Sequence, residues 1–317
     1  NKADNFDRSL MAGEFYELSL GEVIPVSSMT GSGTGELLDK VITHFETSDP
    51  ENPEEGIPKI AIMGRPNVGK SSFLNLLVGD VRSIVTDEAG TTRDSINTHY
   101  KLFGKDFILT DTAGVRKKSK VRENIEFYSV LRSIQSLQNS DVCIIMVDAE
   151  RGLESQDINL ISLAHRYRKG MMIMINKWDL IEKDTGTAHR YQKEIEARLG
   201  PLSYIPIVFT SVLEKQRVFK AIEIAMEVHE NRSKRVSTSE LNNTLLPEIS
   251  RFPPPSTRGR HINIKYITQL PTYTPTFAFF CNHPDQIKQP YERFLENKLR
   301  SYYDFKGVPI NIVFKSK

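Results

Sequence analysis

The sequence predicts an α/β fold, a mainly parallel sheet covered on both faces by helices, followed by a smaller α+β module. Three observations predict it. Apolar runs of strand length alternate with stretches of helical period between about residues 59 and 232. The first of these runs, residues 60–63, leads directly into Gly64-Arg65-Pro66-Asn67-Val68-Gly69-Lys70-Ser71, the GxxxxGK[ST] pattern, with a helix-forming stretch behind it. After residue 235 the alternation stops, and three strands and two helices fit within some 80 residues.

Taken in order, the strand at 60–63 ends in a loop where Gly64 and Gly69 let the backbone wrap, so that several N–H groups converge on phosphate oxygens. Lys70 adds positive charge near the β- and γ-phosphates, and the Ser71 hydroxyl is placed to hold Mg²⁺. A helix is predicted over 71–78. The polar stretch Asp87-Glu88-Ala89-Gly90-Thr91-Thr92-Arg93-Asp94 has no apolar period, which suits a switch segment or an ordinary flexible loop; Thr92 is the candidate second protein ligand to Mg²⁺. A strand over 107–110 runs into Asp111-Thr112-Ala113-Gly114, where Asp111 can bind Mg²⁺ through water and the Gly114 N–H can meet a γ-phosphate.

A helix over 125–137 precedes a strand over 142–147 that carries no polar ending of that kind, then a helix over 156–168. The strand over 172–175 runs into Asn176-Lys177-Trp178-Asp179. The Asp179 carboxylate can accept two hydrogen bonds from a donor pair that guanine has and adenine lacks, while the Lys177 stem packs on the ring. A helix over 187–199 leads to a strand over 205–210 and to Ser211-Val212, placed to offer an N–H to the base carbonyl; a last helix covers 215–228. Each fragment alone has a bland reading as a turn or polar loop. Four in order, each at the C-terminal end of an apolar strand, make a single nucleotide site.

Val115 follows Gly114, so no glutamine stands there to orient a water. A cation is the natural substitute: Asn67 is a candidate K⁺ ligand as well as an ordinary turn residue, and Asn67, Lys70, Thr92 and Gly114 form the candidate catalytic set. No side chain reads as a general base, so catalysis would rest on positioning and electrostatics.

The strings GRPNVGKS, GTTRD, DTAG and NKWD, in this order, resemble the translation-associated GTPases of the Era, tRNA-modification and Der group. The start of the chain separates them. Asn1-Lys2-Ala3-Asp4 is a second guanine-reading tetrad, and Ser27-Ser28 stands where its partner contact belongs, ahead of a glycine-rich stretch and a helical pattern. Tandem G domains resemble the Der (EngA) family. The resemblance implies a P-loop GTPase domain at 59–232, the C-terminal remnant of a first G domain at 1–46, an acidic Pro-rich linker at 47–58 and a KH-like domain at 235–317. It implies that the chain is the C-terminal portion of a longer protein, and a role in large ribosomal subunit assembly with GTP/GDP, Mg²⁺ and ribosomal particles or rRNA as ligands. A monomer in the cytoplasm, with no DNA partner, is expected. Two alternatives stay open: a GTP-gated docking module with incidental turnover, and a tRNA-modification GTPase, which should lack the first tetrad and the C-terminal module.

The C-terminal module is read as a helix over 238–249, strands over 261–268 and 276–282, a helix over 285–302 and a strand over 309–314. It holds only Gly259 and Gly307, so the GxxG clamp of a true KH domain is missing. Charge is strongly segregated beneath an overall +2. Residues 235–317 carry 12 Lys+Arg against 6 Asp+Glu, whereas residues 1–56 carry 3 against 12. The basic module suits phosphate backbones or is simply a solvated face, and the same two readings apply to Arg116-Lys117-Lys118-Ser119-Lys120. Cys143 and Cys281 lie in apolar strands and read as buried thiols rather than a disulfide. Hydrophobic content of 39% with no bilayer-length apolar run excludes a membrane span.

Overall fold

The computed structural model describes residues 1–5, 7–8, 11–18, 21–43, 56–79, 84–88, 97–102, 104–110, 134–256 and 260–316. It divides into two compact units, Asn1–Gly56 and Ile57–Lys317.

Within the second unit, seven strands form one sheet in the order β2-β3-β4-β1-β5-β6-β7. They are β1 (Lys59–Gly64), β2 (Ile84–Glu88), β3 (Asn97–Leu102), β4 (Lys105–Thr110), β5 (Val142–Asp148), β6 (Gly170–Asn176) and β7 (Ile207–Phe209). Strands β4, β1, β5, β6 and β7 are mutually parallel, and β2 and β3 are antiparallel additions at one edge. Every residue of β5 and β6 is buried, as expected of central strands with helices on both faces, and their sequences are correspondingly apolar throughout instead of alternating. One face packs Phe73, Leu74 and Leu77 of the helix Lys70–Gly79 and the helix Val218–Ser233; the other packs Ile161, Ile195 and Leu199 from two further helices. All five parallel strands therefore end at one edge, the edge that carries the nucleotide motifs.

Several boundaries differ from the sequence reading for local reasons. The last helix of the domain begins at Val218, not 215, because Lys215 and Arg217 take positive φ and Ser211 bridges Gln216, which closes a turn first. The strand before it shrinks to Ile207–Phe209, since Pro206 has no N–H to give the ladder. The polar stretch at 87–94 begins inside β2, which pairs with β3; its remainder, 89–94, lies outside the described residues, as do most of the linker and of the helix expected over 125–137.

From residue 235 a three-stranded sheet in the order β10-β9-β8 forms from β8 (Ile264–Leu270), β9 (Thr276–Cys281) and β10 (Asn311–Ser316). The helices Thr238–Arg251 and Gln289–Tyr302 share one core with it. Ser237 caps the first helix by accepting from the Glu240 N–H at 3.2 Å. The second starts at Gln289 and not 285, since a 3₁₀ turn (Pro284–Gln286) comes first and Pro290 occupies the helix's first turn. β8 starts three residues later than expected, at Ile264.

This module is set into the other end of the large sheet. Met171 N–H donates to Gly307 O at 2.7 Å, and Gly307 N–H donates to Tyr204 O at 2.9 Å. Gly307 has φ +75, and a Cβ there would lie 2.4 Å from Val228 and 2.7 Å from Met171 O, so a side chain would force the joint apart. The Arg300 guanidinium lies 3.6 Å from the Tyr204 ring centroid while donating to Val308 O and Phe305 O, and Val308 is fully buried in the G-domain core. Since the joint is at the start of β6 and the motif Asn176-Lys177 at its end, roughly 20 Å of strand separates them.

Candidate functional site

The phosphate loop is shaped by its own residues. Gly64 and Gly69 have φ +147 and +107, Asn67 sits in the left-handed region at φ 65, and Lys70 Nζ donates to Gly64 O (2.6 Å) and Arg65 O (2.7 Å). A Cβ on Gly69 would lie 2.3 Å from Asn176 Nδ2, so glycine here permits contact between the two loops. That contact is made by Asn176, which is 3% exposed: its Nδ2 donates to Val68 O at 2.8 Å and its Oδ1 accepts from Val212 N–H at 3.0 Å. One amide thus ties together three of the sequence fragments. Pro66 and Asn67 are exposed, and Ser71 opens the helix beside Lys70.

Arg65 behaves differently from the rest of the loop. Its side chain, 6% exposed, pairs with Asp157 (3.0 Å) and Glu154 (2.6 Å) and donates to Gly152 O. Glu154 and Asp157 form the capping box of the helix Ser155–Arg166, so the phosphate loop is braced against a helix start. Burial pushes the Asp157 carboxyl up, opposed by the Glu154 N–H and Arg65; Arg65, despite its own burial, is held above its ordinary value by both acids.

At the base loop, Lys177 has φ 64 and its Nζ meets Asp148 at 2.5 Å. This gives the strand expected over 142–147 a polar ending that the sequence reading did not include, of a different kind from Asp111-Thr112-Ala113-Gly114. It runs one residue further, to Asp148, which is 5% exposed. Burial alone would raise the Asp148 carboxyl, but Lys177 and the Glu150 N–H hold it below the ordinary value. Trp178 does not face the site; its ring packs against Phe209 and Tyr191, and the Tyr191 hydroxyl donates to Ala149 O at 2.6 Å. Asp179 Oδ1 is buried and has no hydrogen-bond partner among the described residues. A buried carboxylate oxygen is costly to leave unpaired, which makes this one a candidate acceptor for a donor from outside the protein. The Ser211 and Val212 amides, expected to face the base carbonyl, donate instead to Gln216 O and Asn176 Oδ1.

Thr92, Asp111, Thr112, Ala113, Gly114 and Val115 lie outside the described residues. Among the described residues no group of three or more His, Cys, Asp or Glu could hold a metal. The two thiols are buried and free, with Cys143 pushed up to about 11 by burial.

The first unit repeats the base loop in miniature. Asn1 Oδ1 accepts from Ser28 N–H at 3.2 Å, Lys2 has φ 71, Ala3 N–H donates to Val26 O, and Ser27 Oγ accepts from Thr30 N–H. Each has a counterpart, in Asn176 with Val212, Lys177, Trp178 with Thr210, and Ser211 with Glu214. Asp4, however, is bound to Arg8 at 2.6 Å.

Comparison with known proteins adds two domain matches. Residues 59–177 match a family described as a 50S ribosome-binding GTPase, and residues 235–315 match the KH-domain-like C-terminal domain of EngA bacterial GTPases. Over all 317 residues the chain is 58% identical to GTPase Der of Cytophaga hutchinsonii and 57% identical to that of Amoebophilus asiaticus, covering 73% of each. The chain belongs to the GTPase Der family. It is therefore a GTPase, with the P-loop GTPase fold and the KH-like C-terminal domain that the resemblance implied. Among solved structures, Era of Aquifex aeolicus aligns over 82% of this chain and 93% of its own at 19% identity and a TM-score of 0.42. Among the described residues, no helix is long and apolar enough to cross a membrane.

Proposed function

We propose that this GTPase is a nucleotide-driven switch in assembly of the large ribosomal subunit, acting in the cytoplasm with Mg²⁺ as its cofactor. The observation that carries the ribosomal part is the match of residues 59–177 to a family described as ribosome-binding, on a chain whose residues 235–317 hold twice as many basic as acidic residues. Guanine selectivity is assigned to Asp179, whose buried oxygen lacks a partner among the described residues, with Lys177 fixed by Asp148 to pack on the base and Asn176 holding base loop and phosphate loop in register. Lys70 and the loop amides would stabilise phosphate charge.

Ser71, Thr92 and Asp111 would hold Mg²⁺: hydroxyl and carboxylate oxygens are the hard donors this ion takes, and Ser71 stands at the start of the helix that follows the phosphate loop. The ion, when bound, supplies charge neutralisation at the β- and γ-phosphates. Asn67, exposed on the phosphate loop, is assigned to K⁺. The domain layout is proposed as 1–46, 47–58, 59–232 and 235–317, with Asn1, Lys2, Ala3, Asp4, Ser27 and Ser28 as the base loop of a first G domain. Co-sedimentation with ribosomal particles in GTP, GDP and a nonhydrolysable analogue, across a salt series, tests the switch. Association should differ between GTP and GDP and weaken with salt; identical profiles in all nucleotides would remove it.

A further inference from the structure

In the C-terminal module, burial and charge are distributed so that one row of the sheet stands apart. Tyr266 on β8 pairs in register with Phe280 on β9, and Phe280 pairs with Lys315 on β10. Their neighbours Ile267, Phe279 and Phe314 point the other way, toward the helices, so the row Tyr266–Phe280–Lys315 lies on the face that the module's own core does not use. Tyr266 is 43% exposed, Phe280 is half-buried, and the two rings are in contact at 5.7 Å between centroids. A register shift between Ile264 and Tyr266 makes Lys265 a bulged residue, so two successive side chains, Lys265 and Tyr266, are exposed where a regular strand would bury one.

Charge sharpens the pattern. The three strands contain no acidic residue, and all six acids of the module lie on its helices, on the 3₁₀ turn or just after the last helix. Glu248 and Glu296 are satisfied by Lys298 and Arg300 within the helical layer, whereas Lys265 and Lys315 form no ion pair among the described residues. The row sits at the end of the sheet away from the G-domain joint, which includes contacts from Arg168 to Asn311, Ile310 and Thr274 at the opposite end.

We propose that this row is a stacking platform for a short single-stranded RNA segment: bases pack on Tyr266 and Phe280, and Lys265 and Lys315 flank them to meet the phosphates. Adjacent strands are ~4.8 Å apart, so Tyr266 and Lys315 stand roughly 10 Å from each other, a span of one or two nucleotides. An apolar protein surface would strip water from both ammonium groups without replacing it, and an A-form duplex offers no open base faces to stack. The choice of RNA rests on the ribosomal reading above. The platform also supplies what the missing GxxG clamp does not, a base contact independent of a glycine loop.

The test is a titration of the full chain with fluorescein-labelled dodecauridylate and with a 12-base-pair RNA duplex, alongside ultraviolet cross-linking and peptide mapping of the adduct. Single strand should bind better than duplex, with the adduct on the peptides carrying Tyr266 or Phe280. Tyr266→Ala should weaken binding by about tenfold and Tyr266→Phe by less than about twofold. The double substitution Lys265→Ala, Lys315→Ala should lower the slope of log affinity against log salt by about 1.4. GTP turnover should be unchanged in all of them. Wild-type affinity in Tyr266→Ala, equal losses in the Ala and Phe variants, duplex binding as tight as single strand, or an adduct mapping elsewhere would each overturn the platform. Where the titration overturns the platform and wild type still sediments with ribosomal particles in a GTP-dependent way, the platform falls and the ribosomal reading stands. Where wild type fails to sediment, the ribosomal reading falls and the oligonucleotide titration still decides the surface.

Discussion

The two base loops, Asn1–Asp4 with Ser27-Ser28 and Asn176–Asp179 with Ser211-Val212, share a backbone plan and differ in what they leave unsatisfied. Both use an asparagine Oδ1 to hold a partner loop's N–H, and both put a lysine in the left-handed region. In the second loop the asparagine is 3% exposed and also grips Val68 O, the lysine is anchored by buried Asp148, and Asp179 keeps a buried oxygen without a partner among the described residues. In the first, Asn1 is exposed, Lys2 forms no ion pair among the described residues, and Asp4 is neutralised by Arg8. The comparison teaches that the tetrad fixes the turn, while readiness for a ligand comes from burial and from charges supplied outside the tetrad.

The largest expected effect separates the two aspartates. Asp179→Ala should reduce the guanine-over-adenine preference from ~10⁴ to within about tenfold, whereas Asp4→Ala should leave it unchanged, as read by competition of ATP against a fluorescent GTP analogue. Next, Asn176→Ala strands two buried backbone groups, Val68 O and Val212 N–H, and should cost about 2–4 kcal/mol in urea unfolding. Asn1→Ala, at an exposed site, should cost less than about 1 kcal/mol. Equal costs would break the contrast in burial.

A smaller effect tests the Lys177 anchor by pH. The Asp148 carboxyl is lowered in the folded state from an ordinary 3.8, so the unfolded chain binds its proton first as pH falls. Its stabilisation is therefore complete above about pH 4 and is lost as the pH drops through the lowered folded value. Asp148→Asn should flatten this acid limb in a series of thermal melts between pH 3 and 5. The smallest effect belongs to Arg8→Ala, which removes an exposed pair and should shift stability by under ~1 kcal/mol.

Much of this was legible in the residues because chemistry that needs fixed spacing leaves fixed strings. The glycine pattern from Gly64 to Ser71 and the tetrad at Asn176 each demanded a strand before a loop, and β1 and β6 supply them. Central strands were legible from their unbroken apolar runs. The edge was not: β2 and β3 carry Asp87, Glu88, Asn97, His99 and Lys101 because an antiparallel margin need not be apolar, and a polar strand looks like a loop. Asp148 was missed although it ends a buried strand, the same position as Asn176, because its partner Lys177 is 29 residues away. Asp157 was hidden for a like reason; its capping box with Glu154 is local, but its pairing with Arg65 spans 92 residues. Trp178 reads as part of the site by adjacency and belongs to the core by packing.

The most direct test of the central claim, that Asp179 and the braced phosphate loop select a guanine nucleotide, is calorimetric titration of the chain with GTP and with ATP in Mg²⁺ buffer. One GTP should bind per chain, with ATP at least about a thousandfold weaker. ATP held as tightly as GTP, or neither nucleotide held, would contradict it.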